Sequence, residues 1–215
     1  MNLSPAGANS AYADVIQGLR TSYDGGAESR DSDTKSAWKV AERAGFLGRL
    51  REQECRRLLE IGAGTGQDSL FFAENGLDVV ATDLSPAMVA RCVAKGIDAR
   101  VRDFLGLGEE FPPESFDAIY ALNCLLHVPH ADLSAVLAVI RSVLRPGGLF
   151  FLGVYGGQSE EGLARSDHHD PPRFFCFRTD EELQRESARE FEIVDFHAMA
   201  IPDGRFQSLT LRRPE

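Results

Sequence analysis

The chain has 215 residues, 43% of them hydrophobic and 26% charged, which is the size and balance of one globular domain with a single core. Its 33 acidic residues outnumber 23 basic ones, and the net charge of -10 argues against a nucleic-acid partner because it repels a phosphate backbone. No apolar run approaches the roughly 20 residues that span a bilayer, and the N-terminus lacks a basic stretch followed by an apolar one, so we expect a cytoplasmic protein without a membrane partner.

The N-terminal segment is rich in serine, glycine, alanine and aspartate and leads into a predicted helix over residues 37–56. Apolar side chains recur there among charged ones, including Trp38, Phe46 and Leu47. We therefore expect residues 1–56 to form a helical cap on a core that spans residues 57–215.

Beyond residue 57, short runs rich in β-forming residues alternate with helical segments. The runs cover residues 58–61, 79–82, 99–101, 116–122 and 149–154. This alternation predicts an α/β fold in which a mainly parallel sheet carries helices on both faces. Two more strands close the chain, and the short linker between them leaves no room for a crossover helix, so the last strand is predicted to be antiparallel. These strands cover residues 191–196 and 206–211.

Three of the intervening helices carry clear signals in the sequence. Ser85 precedes a proline at the first helical position, and Thr179 with Glu182 offers a capping box. An apolar stripe over residues 133–144 predicts a further helix, which the Arg-Pro-Gly-Gly run at 145–148 ends.

A glycine-rich turn at residues 62–66, Gly-Ala-Gly-Thr-Gly, follows the first core strand and precedes a helix predicted to start near Gln67. Ligands bind at this position in open α/β sheets, and glycine lets the backbone close on them. The spacing differs from the G-x-G-x-x-G pattern of dinucleotide sites, and an acid, Glu60, lies two residues ahead of it. A second acid, Asp83, ends the next strand and can accept hydrogen bonds from both hydroxyls of a ribose.

The runs at residues 60–66, 83–88 and 144–148 together resemble the motifs of class I S-adenosylmethionine-dependent methyltransferases, over about residues 57–214. The resemblance implies a Rossmann-like, seven-stranded, mainly parallel sheet with S-adenosylmethionine as methyl donor, S-adenosylhomocysteine as product and no metal. The implied cofactor contacts are Gly62, Ala63, Gly64 and Gly66 at the methionine part, Asp83 at the ribose, and Leu84, Met88, Asp103 and Phe104 around the adenine.

Both acids of this pattern have an alternative role. A strand-end aspartate such as Asp83 also serves as a helix N-cap or a loop acid. Glu60 is a predicted cofactor contact, but its carboxylate could instead hold backbone amides of the glycine loop and reach the cofactor amine only through water.

Residues 121–129 follow the fourth strand and read Ala-Leu-Asn-Cys-Leu-Leu-His-Val-Pro. They lack the Asn/Asp-Pro-Pro-aromatic turn of enzymes that methylate bases or glutamine, and they are similar to small-molecule methyltransferases. That similarity implies that Asn123 and Cys124 contact the cofactor and that His127 faces the acceptor. His127 is the candidate general base, with an orienting or purely structural histidine as the alternative.

No metal site is predicted. His130 lies three residues after His127 with no third ligand nearby in the sequence, which indicates a solvated face. The cysteines are widely spaced without a C-x-x-C pair, which is typical of buried thiols and not of disulfides or a zinc site. They are Cys55, Cys92, Cys124 and Cys176.

Residues 156–178 form an insertion beyond the fifth strand that is rich in glycine, aromatic and imidazole side chains. We expect it to be a lid over the acceptor, or alternatively a surface loop whose phenylalanines at 174–177 pack on the core. The residues predicted to contact the acceptor here are Tyr155, His168, His169 and Arg173.

In the cap, the Ser-Tyr-Asp run at residues 22–24 resembles the tyrosine-bearing segment that closes over the cofactor in this family. Tyr23 is therefore a predicted contact of both the cofactor and the acceptor.

The sequence thus predicts methyl transfer to an oxygen, nitrogen or sulfur atom of a small molecule by a monomer or homodimer. The alternatives are a peptide or protein methyltransferase, which a wide groove would indicate, and a non-catalytic S-adenosylmethionine-binding module.

Overall fold

The computed structural model describes residues 3–4, 12–32, 34–164, 166–202 and 204–215. Its strands are β1 (Leu3–Ser4), β2 (Arg57–Ile61), β3 (Asp78–Asp83), β4 (Asp98–Val101), β5 (Phe116–Leu122), β6 (Leu144–Gly156), β7 (Glu160–Ala164), β8 (Phe174–Phe177), β9 (Glu192–Ile201) and β10 (Gly204–Arg212). Its helices are α1 (Tyr12–Asp31), α2 (Ala37–Glu52), α3 (Gln67–Glu74), α4 (Pro86–Ala94), α5 (Leu107–Glu110), α6 (Leu133–Val143) and α7 (Asp180–Ser187), with a short 3-10 helix at Leu125–His127.

Seven strands form the central sheet in the order β4-β3-β2-β5-β6-β10-β9. The first five are parallel to one another, whereas β10 runs antiparallel to both β6 and β9. The predicted Rossmann-like sheet with an antiparallel last strand is therefore confirmed.

Both faces of the central sheet are buried under apolar layers, as the alternating side chains of β5 show. Ile119 joins the cluster that includes α6, while Tyr120 joins Phe46 of α2 and Phe72 of α3 on the opposite face. Because successive strand residues point to opposite faces, a strand covered on both sides is apolar throughout. This explains why the inner strands could be read as continuous hydrophobic runs.

The N-terminal segment differs from its prediction. Helix α1 has 20 residues, although the sequence predicted a helix only from residue 37 onward. Helix α1 contacts α4 and β8, whereas α2 is part of one helical layer of the sheet. The helix predicted to reach residue 56 ends at Glu52, because Glu54 takes a left-handed backbone (φ 52°) and Cys55 N–H bonds back to the Leu50 carbonyl.

The insertion is more regular than the predicted loop. Strands β7 and β8 pair antiparallel and form a three-stranded sheet with β1. Phe175 and Phe177 lie in the main core, and Phe174 packs against Val15 and Leu19 of α1. The alternative in which these aromatic side chains pack inward agrees with the structure, and they do so from a strand.

Within the described ranges, no helix is both long enough and apolar enough to cross a membrane.

Candidate active site

A cavity of about 470 Å³ opens at the carboxyl ends of the parallel strands, where ligands bind in sheets of this kind. One face of α1 covers it, because residues at helical spacing from Tyr12 to Tyr23 all point inward. The predicted residues that line it are Tyr23, Glu60, Gly62, Ala63, Gly64, Asp83, Leu84, Met88, Asp103, Phe104, Asn123, Cys124, His127 and Tyr155.

The glycine loop between β2 and α3 has a left-handed backbone at three positions, with φ of 64° at Gly62, 56° at Gly64 and 79° at Gly66. A Cβ at Gly62 would lie 2.4 Å from Cβ of Cys124, and one at Gly66 would lie 2.8 Å from Sγ of Cys92. A Cβ at Gly64 would have no described atom within 4 Å. Gly62 and Gly66 therefore pack tightly on the protein, with Gly66 outside the cavity lining, while Gly64 leaves space at the cavity wall.

Asp83 at the end of β3 is held directly beside this loop. Its two carboxylate oxygens accept the N–H groups of Gly64 (2.8 Å) and Ser85 (2.9 Å), and only 8% of the residue is exposed. Burial raises the pKa of Asp83 to about 6, although the two backbone hydrogen bonds act in the opposite direction. The N-cap residue of α4 is Ser85, whose hydroxyl accepts the Met88 N–H (3.1 Å), so the N-cap alternative for Asp83 is wrong.

Glu60 lies under the loop and is bonded to the first turn of α3. Its carboxylate accepts the hydroxyl hydrogen of Ser69, and it is 3% exposed. Burial, together with the nearby charge of Asp68, raises the pKa of Glu60 to about 8. Asp68 is in turn paired with Lys35 (2.6 Å) and Arg43 (2.9 Å). Among the described residues, the side-chain carboxylate of Glu60 thus bonds to a residue of α3 and not to an amide of the glycine loop.

Asn123 has an unusual conformation directly after β5. Its backbone is left-handed (φ 55°), and both polar atoms of its side-chain amide are buried without a hydrogen-bond partner in the described part of the chain. Buried unpaired amides are costly, so a ligand that pairs with this side chain would be favoured. Cys124 donates its thiol hydrogen to the Ile61 carbonyl (3.2 Å).

Tyr23 and His127 meet across the cavity although 104 positions separate them. His127 Nδ1 lies 2.6 Å from the Phe174 carbonyl, which can only accept, so Nδ1 carries the proton. The neutral ring then has a free lone pair on Nε2, and the Tyr23 hydroxyl donates to it at 2.6 Å. Burial lowers the pKa of His127 to about 3, and the charges of Arg173 and Arg30 add to this. Because both nitrogens of the neutral imidazole already form hydrogen bonds, the phenol oxygen of Tyr23 is the polar group of this pair that can contact an acceptor.

Three of the predicted acceptor contacts lie away from the cavity wall. The side chain of His168 is 84% exposed, and Arg173 and His169 surround the carboxylate of Asp167. His169 and Arg173 contact the ring of Tyr23 from the side of the insertion. The insertion thus supports α1 and Tyr23, and among these four predicted acceptor contacts the one that lines the cavity is Tyr155 of β6, directly before the insertion.

Several cavity residues were not predicted from the sequence. The spacing of Tyr12, Ile16, Leu19 and Tyr23 would have indicated α1, had its glycines and serines not argued against a helix. Arg30 lies 5.0 Å from the Tyr23 ring centroid and forms no salt bridge within the described ranges. It therefore provides a positive charge at the cavity wall.

Among the residues that the structure describes, two groups of possible metal ligands lie outside the cavity: His130, Glu161 and Cys176, and Asp167, His168 and His169. The sequence placed no third ligand near His130, but pairing of β7 with β8 brings Glu161 and Cys176 to it. Glu161 already accepts the His130 N–H (2.8 Å) and the Cys176 thiol (3.4 Å). Burial raises the pKa of Cys176 to about 12, which favours the thiol over the thiolate that metals prefer. All four cysteines are free and buried.

Comparison with known families and proteins gives a consistent picture. Residues 58–148 match the family described as "Methyltransferase domain". Glycine N-methyltransferase of Rattus norvegicus is 30% identical over 148 residues, which cover 60% of this chain and 48% of that protein. A ubiquinone biosynthesis O-methyltransferase of Xanthomonas campestris is 38% identical over 104 residues, which cover 45% of this chain and 41% of that protein. The chain therefore spans about half the length of the curated relatives it matches.

A solved structure agrees over nearly the whole chain. The 1,6-didemethyltoxoflavin-N1-methyltransferase of Burkholderia thailandensis, with bound 1,6-didemethyltoxoflavin and S-adenosylhomocysteine, has a TM-score of 0.78 at 24% identity, covering 99% of this chain and 95% of that one. At 24% identity this likeness shows the fold alone. The aligned region includes the helices before β2 and the insertion after β6.

Proposed function

We propose that the class I S-adenosylmethionine-dependent methyltransferase domain that this chain carries transfers a methyl group from S-adenosylmethionine to an oxygen, nitrogen or sulfur atom of a small molecule. One observation carries the proposal. The glycine loop with Asp83 and the Tyr23–His127 pair line the same cavity, so a cofactor held by the first would present its methyl group near the second. The match of residues 58–148 to a methyltransferase domain supports it.

The residues present fit this cofactor. Asp83 offers a carboxylate for two ribose hydroxyls, Gly64 leaves room for a ligand beside the loop, and Leu84 with Met88 gives an apolar wall for the adenine. The unpaired amide of Asn123 is a candidate contact for polar groups of the ligand. When bound, the cofactor supplies a methyl group that its sulfonium has already activated.

We propose that the remaining predicted cofactor contacts also shape this cavity. Glu60, Gly62, Ala63, Gly66 and Cys124 would shape the methionine end, with Asp103 and Phe104 at the adenine end. Gly66 would do so indirectly, since it packs on Cys92 and does not line the cavity. Arg30 would attract a carboxylate of the bound ligands.

The cavity suits a small acceptor, because α1 covers the cavity. The relatives described above are named for glycine, for ubiquinone biosynthesis and for 1,6-didemethyltoxoflavin, which are small-molecule roles. We propose Tyr155, which also lines the cavity, as an acceptor contact. We also propose a cytoplasmic monomer or homodimer without nucleic-acid or membrane partners, and the net charge of -10 supports the absence of a nucleic-acid partner.

The geometry favours an orienting role for His127. Its Nε2 accepts from Tyr23, its Nδ1 donates to a carbonyl, and its low pKa makes proton uptake costly. Methyl transfer to an acceptor atom that is already unprotonated, such as that of a neutral amine, a phenolate or a thiolate, requires positioning and no base. We therefore propose that the acceptor arrives as a nucleophile and that Tyr23 positions it.

A substitution separates the two roles of His127. We expect His127→Gln to leave S-adenosylhomocysteine affinity nearly unchanged and to lower turnover by about tenfold or less, because positioning is impaired while no proton transfer is lost. Steady-state kinetics across pH 6 to 9 checks this. A loss of about 100-fold, with a titration near neutral pH that disappears in the variant, would instead identify His127 as a base.

Cofactor affinity should depend on pH through Asp83. Ribose hydroxyls donate to an ionised carboxylate, and this one has a pKa of about 6, so affinity is highest above pH 7 and falls as the pH is lowered. We expect S-adenosylhomocysteine to bind about tenfold more weakly at pH 5 than at pH 7. Asp83→Asn is the matched control, since its affinity should be weak and flat over this range. A flat wild-type profile would contradict the assignment.

The experiment that tests the proposed function is a turnover panel. Purified protein is incubated with S-adenosylmethionine and a small amine, a phenol, a heterocycle with a ring N–H, a small thiol or a set of short peptides, and S-adenosylhomocysteine is measured. Product with at least one small molecule, and none with peptides, supports the proposal. Product with peptides alone indicates a peptide methyltransferase, and cofactor binding without product from any class indicates a non-catalytic binding module.

A further inference from the structure

We propose that Arg173, fixed by Asp167, is a positioning residue that holds the Tyr23 ring in place, so that the Tyr23 hydroxyl bonds to His127. This inference rests on the proposed function, because it concerns how the same cavity is prepared for an acceptor. Arg173 does not line the cavity, so it would act through Tyr23 and not on the ligand.

Arg173 and Asp167 form a well-ordered buried pair inside the insertion. Nε and one terminal nitrogen of the guanidinium donate to the two carboxylate oxygens at 2.8 and 3.0 Å, and the Arg173 backbone N–H adds a third bond at 2.8 Å. The side chains are 8% and 1% exposed. Although burial opposes it, the hydrogen bonds from Arg173 hold the pKa of Asp167 well below its usual range. A bidentate pair of this kind fixes both the position and the plane of the guanidinium.

The fixed guanidinium faces Tyr23. Its central carbon lies 5.6 Å from the centroid of the Tyr23 ring, so the fixed positive charge packs against this ring. The Tyr23 hydroxyl donates to Nε2 of His127 at 2.6 Å, so the placement of the ring decides whether this bond forms. Burial raises the pKa of Tyr23, and the charges of Arg30 and Arg173 oppose that rise. Two neighbours thus determine where the hydroxyl points.

The same segment also holds the backbone of α1. The Ser22 hydroxyl donates to the Pro171 carbonyl, and the His169 ring lies against Gly26 at 3.3 Å from the place of a Cβ. These contacts lie on both sides of Tyr23 in the sequence. The insertion therefore sets the position of the helix through Ser22 and Gly26, and the direction of one side chain through Arg173.

A purely structural pair would only join the insertion to the core. The two roles differ in one measurable respect: only a positioning pair affects the hydrogen bond that Nε2 of His127 accepts from Tyr23. If Arg173 positions Tyr23, then loss of the guanidinium must weaken that bond even when the protein stays folded. Nitrogen NMR of histidine reports this bond directly, because the chemical shift of an accepting ring nitrogen depends on its donor.

The experiment compares full-length wild type with Arg173→Gln, Arg173→Lys, Asp167→Asn and Tyr23→Phe. Arg189→Gln is the control, since Arg189 is exposed and bonds only to Glu186 among the described residues. The His127 signal is assigned with His127→Gln. We expect Arg173→Gln to move the Nε2 shift toward the Tyr23→Phe value and to lower kcat about threefold to tenfold, with S-adenosylhomocysteine affinity changed less than about threefold.

Arg173→Lys keeps the charge without the bidentate geometry, so it should move the same signal partway. Arg173→Lys also takes the place of Arg173→Gln in the comparison if Arg173→Gln fails to fold. A wild-type Nε2 shift and wild-type kcat in Arg173→Gln, or in folded Arg173→Lys and Asp167→Asn, would overturn the inference. The NMR measurement needs neither ligand nor turnover. A wild-type protein that neither binds S-adenosylhomocysteine nor forms it would therefore refute the proposed function without deciding this one.

Discussion

Replacing Asp83 with alanine is expected to weaken S-adenosylhomocysteine binding about tenfold or more, equivalent to roughly 1.5 to 3 kcal/mol. Two losses combine in this variant. The ribose hydroxyls lose a charged acceptor, and the N–H groups of Gly64 and Ser85 lose the carboxylate that holds them at 2.8 and 2.9 Å. The effect should fall on affinity, which calorimetric titration measures directly.

A matched control lies on the same strand. Asp78 begins β3 at its opposite end, has a side chain that is 70% exposed, and pairs only with Arg57 among the described residues. Asp78→Ala should therefore bind S-adenosylhomocysteine as the wild type does, because exposed pairs contribute little. If Asp83→Ala bound normally and Asp103→Ala did not, the ribose would belong to β4 and not to β3.

Replacing Gly62 with alanine should destabilise the protein and abolish cofactor binding together. The added methyl would lie 2.4 Å from Cβ of Cys124, on a backbone with φ of 64°. A left-handed conformation costs other residues roughly 1–2 kcal/mol, and overpacking typically adds about 1–3 kcal/mol. The free energy of unfolding should fall by about 2 to 5 kcal/mol, measured by urea denaturation.

Gly64 offers the comparison within the same loop. Its φ of 56° is equally left-handed, but a Cβ there meets no described atom within 4 Å and enters the cavity wall. Gly64→Ala should lose only about 1–2 kcal/mol of stability while still losing cofactor affinity. A Gly62→Ala protein as stable as wild type, or a Gly64→Ala protein with unchanged affinity, would contradict this account of the loop.

The central sheet could be predicted because its signals are local. Each inner strand is a short apolar run buried on both faces, and the strand ends at Gly62 and Asp83 bear the residues that a ligand site requires. Helix α1 was missed because Gly18, Gly25 and Gly26 lower its helical propensity, and its stability comes from tertiary contacts such as that of Arg20 with the Leu84 carbonyl.

Local sequence patterns predicted site residues only where these lie at the carboxyl ends of strands. Asp83 ends one recognisable strand, and the glycine loop follows another. Asn123, His127 and Tyr23 could be placed near the site only by resemblance, and no local pattern shows that Tyr23 bonds to a residue 104 positions away. The same holds for the insertion, where alternating residues of β8 separate Phe174 from Phe175 by face, a division that loop composition does not reveal.

The measurement that tests the central claim most directly is a calorimetric titration of the purified protein with S-adenosylmethionine and S-adenosylhomocysteine in the presence of a chelator. We predict binding of one molecule per chain in the micromolar range, about -8 kcal/mol, for both compounds. No heat and no thermal stabilisation with either compound, while NAD binds, would contradict the assignment of this cavity to a methyl donor.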